Sequence, residues 1–416
     1  MNRDLALLFV ARMLRMAGFG AVTVILLSFL ETREMSTEFR GWILSGALVG
    51  DVVLTLLLAT RADRWGRRRT LALTSLVLTI TGILFAYTTS AWALLLIAIV
   101  GVLSPMGNEV GPFLSVEHAA LTQIASGSRR NLTFSAYSLA GSLAAAMGSF
   151  AAGQGAMWLI EHGYGEAGAG RAVLLTYAAC GAAMAVAFLT MSPQVEPEVP
   201  GEIREGKRRQ VAAARKDLQH RFGVPTSAGI VLSLALLFAL DAFAGGFVAQ
   251  SFLSGWAKKT HGFDYAARGN LFFVFQILAG ISQLLAAPLA NRFGLINTMV
   301  FTHLPSNLLL LAVPFAPDRN WAMGLLIARF SLSQMDVPTR QAYVVSVVPP
   351  SERSAAAGIT GTARSVGVAL APPIASVLYA NPAWVGTPFF IAGALKIIYD
   401  LLLYRAFISQ RAEHEK

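Results

Sequence analysis

Charge is scarce in this chain. Of its 416 residues only 13% are Asp, Glu, Lys or Arg, where a soluble domain carries about a quarter. Cysteine is nearly absent. Cys180 stands alone in an apolar run, which excludes an internal disulfide and a cysteine-ligated metal site. The 6 histidines are scattered without the paired spacing of a ligand set, so no metal and no other cofactor is expected. The phosphate-cradling GxxxxGK[ST] and GxGxxG loops and the HExxH and GxSxG motifs are missing from any suitable context. Their absence argues against ATP-driven work by this chain alone and against an enzyme. No small-residue cleavage site follows MNRD, so the apolar segment after it reads as a retained span rather than a leader.

What the chain has in abundance is apolar sequence, 55% of all residues. Stretches of about 20 residues with little or no charge recur, for example at 71–90, 172–191 and 298–315, and that is the length needed to cross a bilayer core. Lipid leaves no partner for open strand edges, and the short alternating segments of a membrane barrel are missing, so the spans are helices. Twelve are expected, over 5–30, 41–60, 70–89, 91–121, 131–160, 171–191, 227–254, 269–290, 295–315, 321–347, 355–380 and 384–408. The fold class is an all-α integral membrane protein. The net charge of +10 does not point to nucleic acid, because the basic residues sit in loops between spans without an aromatic–basic surface. Arg61, Arg64, Arg67, Arg68, Arg69, Arg129, Arg130, Arg292, Arg353 and the basic residues of 192–226 fall on one side. Fewer, including Arg33, Lys258, Lys259 and Arg268, fall on the other. This bias places both termini and 192–226 in the cytoplasm. Short loops and an Ala/Leu/Gly-rich composition suggest a bacterial inner membrane.

One short pattern occurs twice. Residues 62–69 read ADRWGRRR and residues 290–294 read ANRFG, each joining two long apolar segments. A second alignment sets NEVGPFLSVEHAAL at 108–121 beside QMDVPTRQAYVVSV at 334–347, matched on Pro112 and Pro338. Each proline falls inside an expected helix, where it favours a kink. The chain therefore reads as a duplication: a six-helix half over 1–191, a linker over 192–226 and a second half over 227–416. Within the linker VAAARKDLQHRF is expected to form a short amphipathic surface helix.

The loop ATRADRWGRRR at 59–69 resembles the signature G-x-x-x-D-R-x-G-R-R of the major facilitator superfamily. Asp63, Arg64, Gly66, Arg67 and Arg68 match it, and Ala59 replaces its first glycine. The degenerate second copy, RARF at 327–330 and PPSERSAAAG at 349–358 add to a likeness that covers the whole chain. The resemblance implies two pseudo-symmetric six-helix bundles, usually monomeric, that rock about a central cavity to move a small-molecule substrate across the lipid bilayer, often with protons. It also implies that Asp63, Arg64, Gly66, Arg67 and Arg68 form a conformational latch that holds one state and breaks in the other.

Charged side chains inside spans are costly and usually face a cavity or a partner. In the first half these are Arg12, Arg15, Asp51, Glu109 and Glu117. Arg12 and Arg15 share a helix face, and neutralisation of one of them by Asp51 or Glu109 is the bland alternative to a binding role. In the second half they are Asp241, Arg329, Asp336, Arg340, Arg364, Lys396 and Asp400. Asp336 and Arg340, four apart, are spaced for an internal ion pair, and Lys396 with Asp400 reads as a structural pair. The expected substrate and proton pathway comprises Arg15, Asp51, Glu109, Asp241, Asp336, Arg340 and Arg364. By resemblance the first functional expectation is proton-coupled efflux of a drug-like or small organic compound. The fifth expected helix, GSLAAAMGSFAAG at 141–153, lacks the proline of the antiporter pattern. The alternative is proton-coupled symport or exchange of an organic or phosphate-like anion held by intramembrane arginines.

Overall fold

The computed structural model of the protein describes residues 3–107, 111, 113–124, 130–196, 224 and 226–408, apart from the side chains of 59, 60, 63, 130 and 131. The surface helix expected within the linker, Glu109, Pro112 and Arg129 lie outside the described residues. The regular elements described are helical. In the first half they are α1 (Arg3–Glu31), α2 (Thr37–Trp65), α3 (Arg67–Tyr87), α4 (Ala91–Val100), α5 (Phe113–Ile124), α6 (Arg130–Glu161) and α7 (Gly165–Leu189). In the second half they are α8 (Ala228–Gly246), α9 (Gln250–His261), α10 (Tyr265–Phe293), α11 (Leu295–Ala312), α12 (Arg319–Ser333), α13 (Asp336–Ser346), α14 (Arg353–Ala380) and α15 (Thr387–Phe407).

Among the described residues, 10 helical segments are long and apolar enough to cross a membrane. The two remaining expected spans are divided rather than kinked. Span 91–121 splits into α4 and α5. Gly101 ends α4 in an extended conformation, with its N–H on Ile97 O at 2.8 Å. Span 321–347 splits into α12 and α13, with the break at Gln334 and Met335. Pro338 therefore sits in the first turn of α13, where a missing N–H removes no helical hydrogen bond. The proline begins a helix instead of bending one. Span 227–254 also divides, into α8 and α9.

The two copies of the short pattern end their helices alike. Gly66 closes α2 at φ 98° and donates its N–H to Ala62 O at 2.9 Å; Gly294 closes α10 at φ 86° and donates to Ala290 O at 2.8 Å. Only glycine adopts such positive φ freely. Each half thus turns the same corner with the same residue. This corner, with Glu196 and Arg353, marks the linker end of the molecule; Glu31, Glu161 and His261 mark the far end.

Within the first half α1 packs on α6 and α7, α3 on α7, and α2 on α4; within the second α8 packs on α14, and α11 on α12 and α15. The halves meet where α6 lies on α10, α2 on α14, and α1 on α9. The α6–α10 crossing depends on bare backbones. A Cβ on Gly153 would lie 2.7 Å from Gly269 Cα, and one on Gly269 would lie 2.8 Å from Gly153 Cα. Small residues permit such approach in helices that have little hydrophobic drive to associate in lipid. Hydrogen bonds follow the same seam from the middle toward the far end. Ser251 Oγ donates to Pro105 O at 2.8 Å, Ser254 Oγ to Val24 O at 2.8 Å, and Lys258 Nζ to Glu166 Oε2 at 2.8 Å.

Candidate functional site

The second half encloses a charged network built from five helices. Asp241 on α8 is its hub. Lys396 Nζ on α15 lies 2.5 Å from Asp241 Oδ1, while Arg364 Nη1 on α14 and Arg340 Nη1 on α13 lie 3.0 and 3.3 Å from Oδ2. Arg340 is shared, because the same Nη1 donates to Asp336 Oδ2 at 2.7 Å across one helical turn, as the four-residue spacing predicts. Asp241, Asp336, Arg340 and Lys396 are all buried, whereas the Arg364 side chain is 32% exposed. Arg364 is the member of the network that reaches solvent.

Lys396 and Asp400 do not form the expected pair. They are four apart on α15, yet each turns to a different helix. Lys396 binds Asp241; Asp400 accepts from Asn307 Nδ2 at 2.9 Å and lies 2.8 Å from His303 Nδ1, both on α11. His303 Nε2 stands 4.0 Å from Asp241 Oδ1, so the imidazole spans the two carboxylates. Nothing in the spacing of the sequence places His303 between Asp241 and Asp400.

The first half solves its charge problem differently. Arg15 is bound by Glu117, not by Asp51. Two parallel bonds run from Arg15 Nη1 and Nη2 to Glu117 Oε1 and Oε2, at 2.6 and 2.7 Å, and both side chains are 0% exposed. The Arg15 guanidinium also sits 4.4 Å from the Phe113 ring centroid. Arg12 stacks on Tyr137 at 4.6 Å. Asp51 accepts from Gly111 N–H and from Thr55 Oγ1, so it braces the start of α5. Glu109 lies outside the described residues.

At the linker end Arg64 is exposed in the last turn of α2, and the Asp63 side chain lies outside the described residues. Arg67 and Arg68 begin α3, and Glu196 caps that helix. Its carboxylate accepts from Arg67 N at 2.6 Å and from Arg68 N at 3.2 Å, an anion placed at a helix N-terminus. Arg67 Nη1 also donates to Gln123 Oε1 at 2.8 Å and Arg68 Nη2 to Leu189 O at 2.7 Å. Glu196 was not singled out in the sequence; its signal was that it is the first acid beyond a span that returns to the DRWGRRR loop.

Arg268, grouped by sequence with the far-side loops, lies within α10 at 1% exposure. It donates to Ser28 Oγ at 2.9 Å and Ser254 Oγ at 3.1 Å and stacks on Tyr265. Tyr265 Oη reaches Glu166 at 3.2 Å. These bonds stitch α1 and α7 to α9 and α10 at the far end. Among the described residues no cluster of His, Cys, Asp and Glu is disposed to hold a metal.

Comparison with known proteins places this architecture. The sequence profile described as Major Facilitator Superfamily matches residues 8–264 and 234–416. An uncharacterized membrane protein of Saccharomyces cerevisiae, YJR124C, is 25% identical over 435 residues, covering 100% of this chain and 96% of its own length. Among solved structures, the nucleoside transporter NupG superposes with a TM-score of 0.74 at 16% identity, over 97% of this chain and 100% of its own. A bacterial homolog of the human lysosomal transporter Spinster, inward-facing and occupied, gives 0.74 at 15% identity over 98% and 97%. A D-xylose–proton symporter gives 0.71 at 16% over 97% and 96%. At these identities the structures speak to the fold, and the profile spanning both halves speaks to descent: the chain belongs to the major facilitator superfamily, a family of membrane transporters.

Proposed function

We propose that this protein is a proton-coupled secondary transporter that works by alternating access, with the Asp241-centred network as its coupling element. The observation that carries the reading is the arrangement at Asp241. One buried carboxylate is shared by Lys396, Arg340 and Arg364, which come from three helices, and one of these cations reaches solvent. Neutralising such a hub by a proton releases cations from it, and the released cations are free to bind another group or to let their helices move. His303 and Asp400 extend the network toward a second carboxylate. A proton on Asp400 is hydrogen-bonded to His303, whose Nε2 stands 4.0 Å from Asp241 Oδ1, a gap that a small shift of the imidazole would close. We take the linker end as cytoplasmic, on the bias of basic residues toward that end. The DRWGRRR loop, with Asp63, Arg64, Gly66, Arg67 and Arg68, serves as the latch. Glu196 holds its Arg67–Arg68 segment within the first half.

Two substrate readings use this network. Efflux of a small organic compound requires the proton and the compound to displace one another. Symport or exchange of an organic or phosphate-like anion requires the proton to create the cationic site that the anion fills. The buried charges of the second-half network, Arg340 and Lys396 with Asp241, Asp336 and Asp400, serve both readings. The test is proton flux in proteoliposomes with an internal pH dye, challenged with lipophilic organic cations and then with organic anions. Proton efflux driven by inward cation movement selects antiport; protons entering with an anion select symport. Solute movement of either kind with no proton flux, under a tenfold pH gradient, refutes coupling.

A further inference from the structure

One buried cation is left over. Arg329, on α12, is 7% exposed. Among the described residues it has no carboxylate within ion-pair distance, and its Nε is buried without a hydrogen-bond partner. Its guanidinium carbon lies 4.9 Å from the ring centroid of the adjoining Phe330. Every other buried cation of the second-half spans is satisfied: Arg340 by Asp336 and Asp241, Lys396 by Asp241, Arg268 by serines and carbonyl groups. The Arg329 guanidinium lies within electrostatic reach of Asp241 and of the Tyr379 hydroxyl. That hydroxyl is also buried and also lacks a partner. Arg329 Nε on α12 and Tyr379 Oη on α14 are thus two buried donors without an acceptor among the described residues. Aromatic pairs flank them: Phe275 stacks on Phe330 at 3.9 Å, and Phe252 on Tyr379 at 5.3 Å.

A buried guanidinium without a counter-charge is a costly arrangement that an incoming anion relieves. We infer that Arg329 and Tyr379 form the anchor for an oxyanion on an organic substrate, a carboxylate or phosphate group, whose apolar body lies against the flanking rings. Guanidinium suits this task because its planar fork meets two oxygens at once. This inference rests on the reading of the chain as a transporter, but not on proton coupling. In it Asp241 sets the field around the anchor and Arg329 makes the contact.

The test is binding to the full-length protein in nanodiscs, with benzoate and phenyl phosphate as probes and benzyl alcohol as the neutral control, at constant ionic strength. Both stability and Kd are read. The anions should bind and raise the melting temperature, and the alcohol should not. Arg329→Gln should weaken anion binding at least about tenfold, the equivalent of one lost charge-assisted contact. Tyr379→Phe should weaken it roughly fivefold, as for one neutral hydrogen bond. Without ligand Arg329→Gln should melt no lower than the parent, because it removes an uncompensated charge. Failure of both anions to bind overturns the anchor, as does full affinity in Arg329→Gln or a lower ligand-free melting temperature, which marks a structural arginine. A separate proteoliposome measurement, anion uptake without proton flux, refutes coupling while leaving the anchor standing.

Discussion

Replacing Glu117 by Gln should be among the most damaging single-atom changes in this protein. Glu117 makes two charge-assisted bonds to Arg15, at 2.6 and 2.7 Å, with no solvent on either side. Gln keeps the shape and one acceptor but removes the negative charge that the buried Arg15 guanidinium now meets at 2.6 and 2.7 Å. Breaking a buried pair in this way costs about 3–5 kcal/mol, most of it the desolvated charge left behind. Removing both charges should be far milder: Arg15→Met with Glu117→Met restores an apolar pair between α1 and α5 and is expected within about 1 kcal/mol of the parent. The assay is denaturant unfolding of the detergent-solubilised protein for the parent, both single variants and the double variant, read as a thermodynamic cycle. A loss below about 1 kcal/mol in Glu117→Gln, or a double variant as unstable as the worse single one, would falsify the argument that the pair exists to neutralise itself.

Gly269→Val places side-chain atoms where Gly153 Cα now lies, so far-end closure should fail. A cysteine introduced at Ser28 should become reactive to a membrane-impermeant maleimide, and an unchanged labelling rate would count against the seam. Asp336→Asn leaves Arg340 with Asp241 alone; transport should lose its dependence on the proton gradient more than its affinity for solute, as read by uptake at several pH gradients. Glu352 accepts from Thr226 N–H, Thr226 Oγ1 and Ser227 N–H at the start of α8. Desolvation raises its pKa, but these hydrogen bonds outweigh that and hold the carboxyl below the ordinary range. Its stabilisation is therefore full above the ordinary carboxylate pKa and fades as pH falls through the lowered value. Glu352→Gln should melt below the parent at neutral pH, and the two should converge in acid.

What the sequence revealed followed from local geometry. Asp336 and Arg340 are one turn apart, so their pairing was legible, and the ADRWG and ANRFG copies marked the like corners at Gly66 and Gly294. Distance along the chain hid the rest. Asp51 and Glu109 were the expected neutralising partners for Arg12 or Arg15, and only the placement of α5 beside α1 brings Glu117 to Arg15. Lys396 and Asp400 share a helix face, but each finds a better partner elsewhere, at Asp241 and at His303. Arg268 was read by its position near a span boundary, which says nothing of whether its side chain turns inward. Pro338 was read as a kink because a proline within a long apolar run carries that meaning; a break just before it was equally compatible with the same letters. The isolation of Arg329 was invisible for a different reason, since the lack of a partner is a property of all neighbours at once.

The seam between the halves has a consequence for speed. It is closed by a bare glycine crossing and by hydroxyl–carbonyl bonds such as Ser254 to Val24 and Ser251 to Pro105. When such bonds part, water entering the gap takes over the released donors and acceptors, so each resists by only about 1 kcal/mol. The far end is therefore a zip fastener rather than a weld, with a barrier made of many small steps. The time a cycle takes should be set by whatever reorders the charges around Asp241, and hardly at all by the door itself.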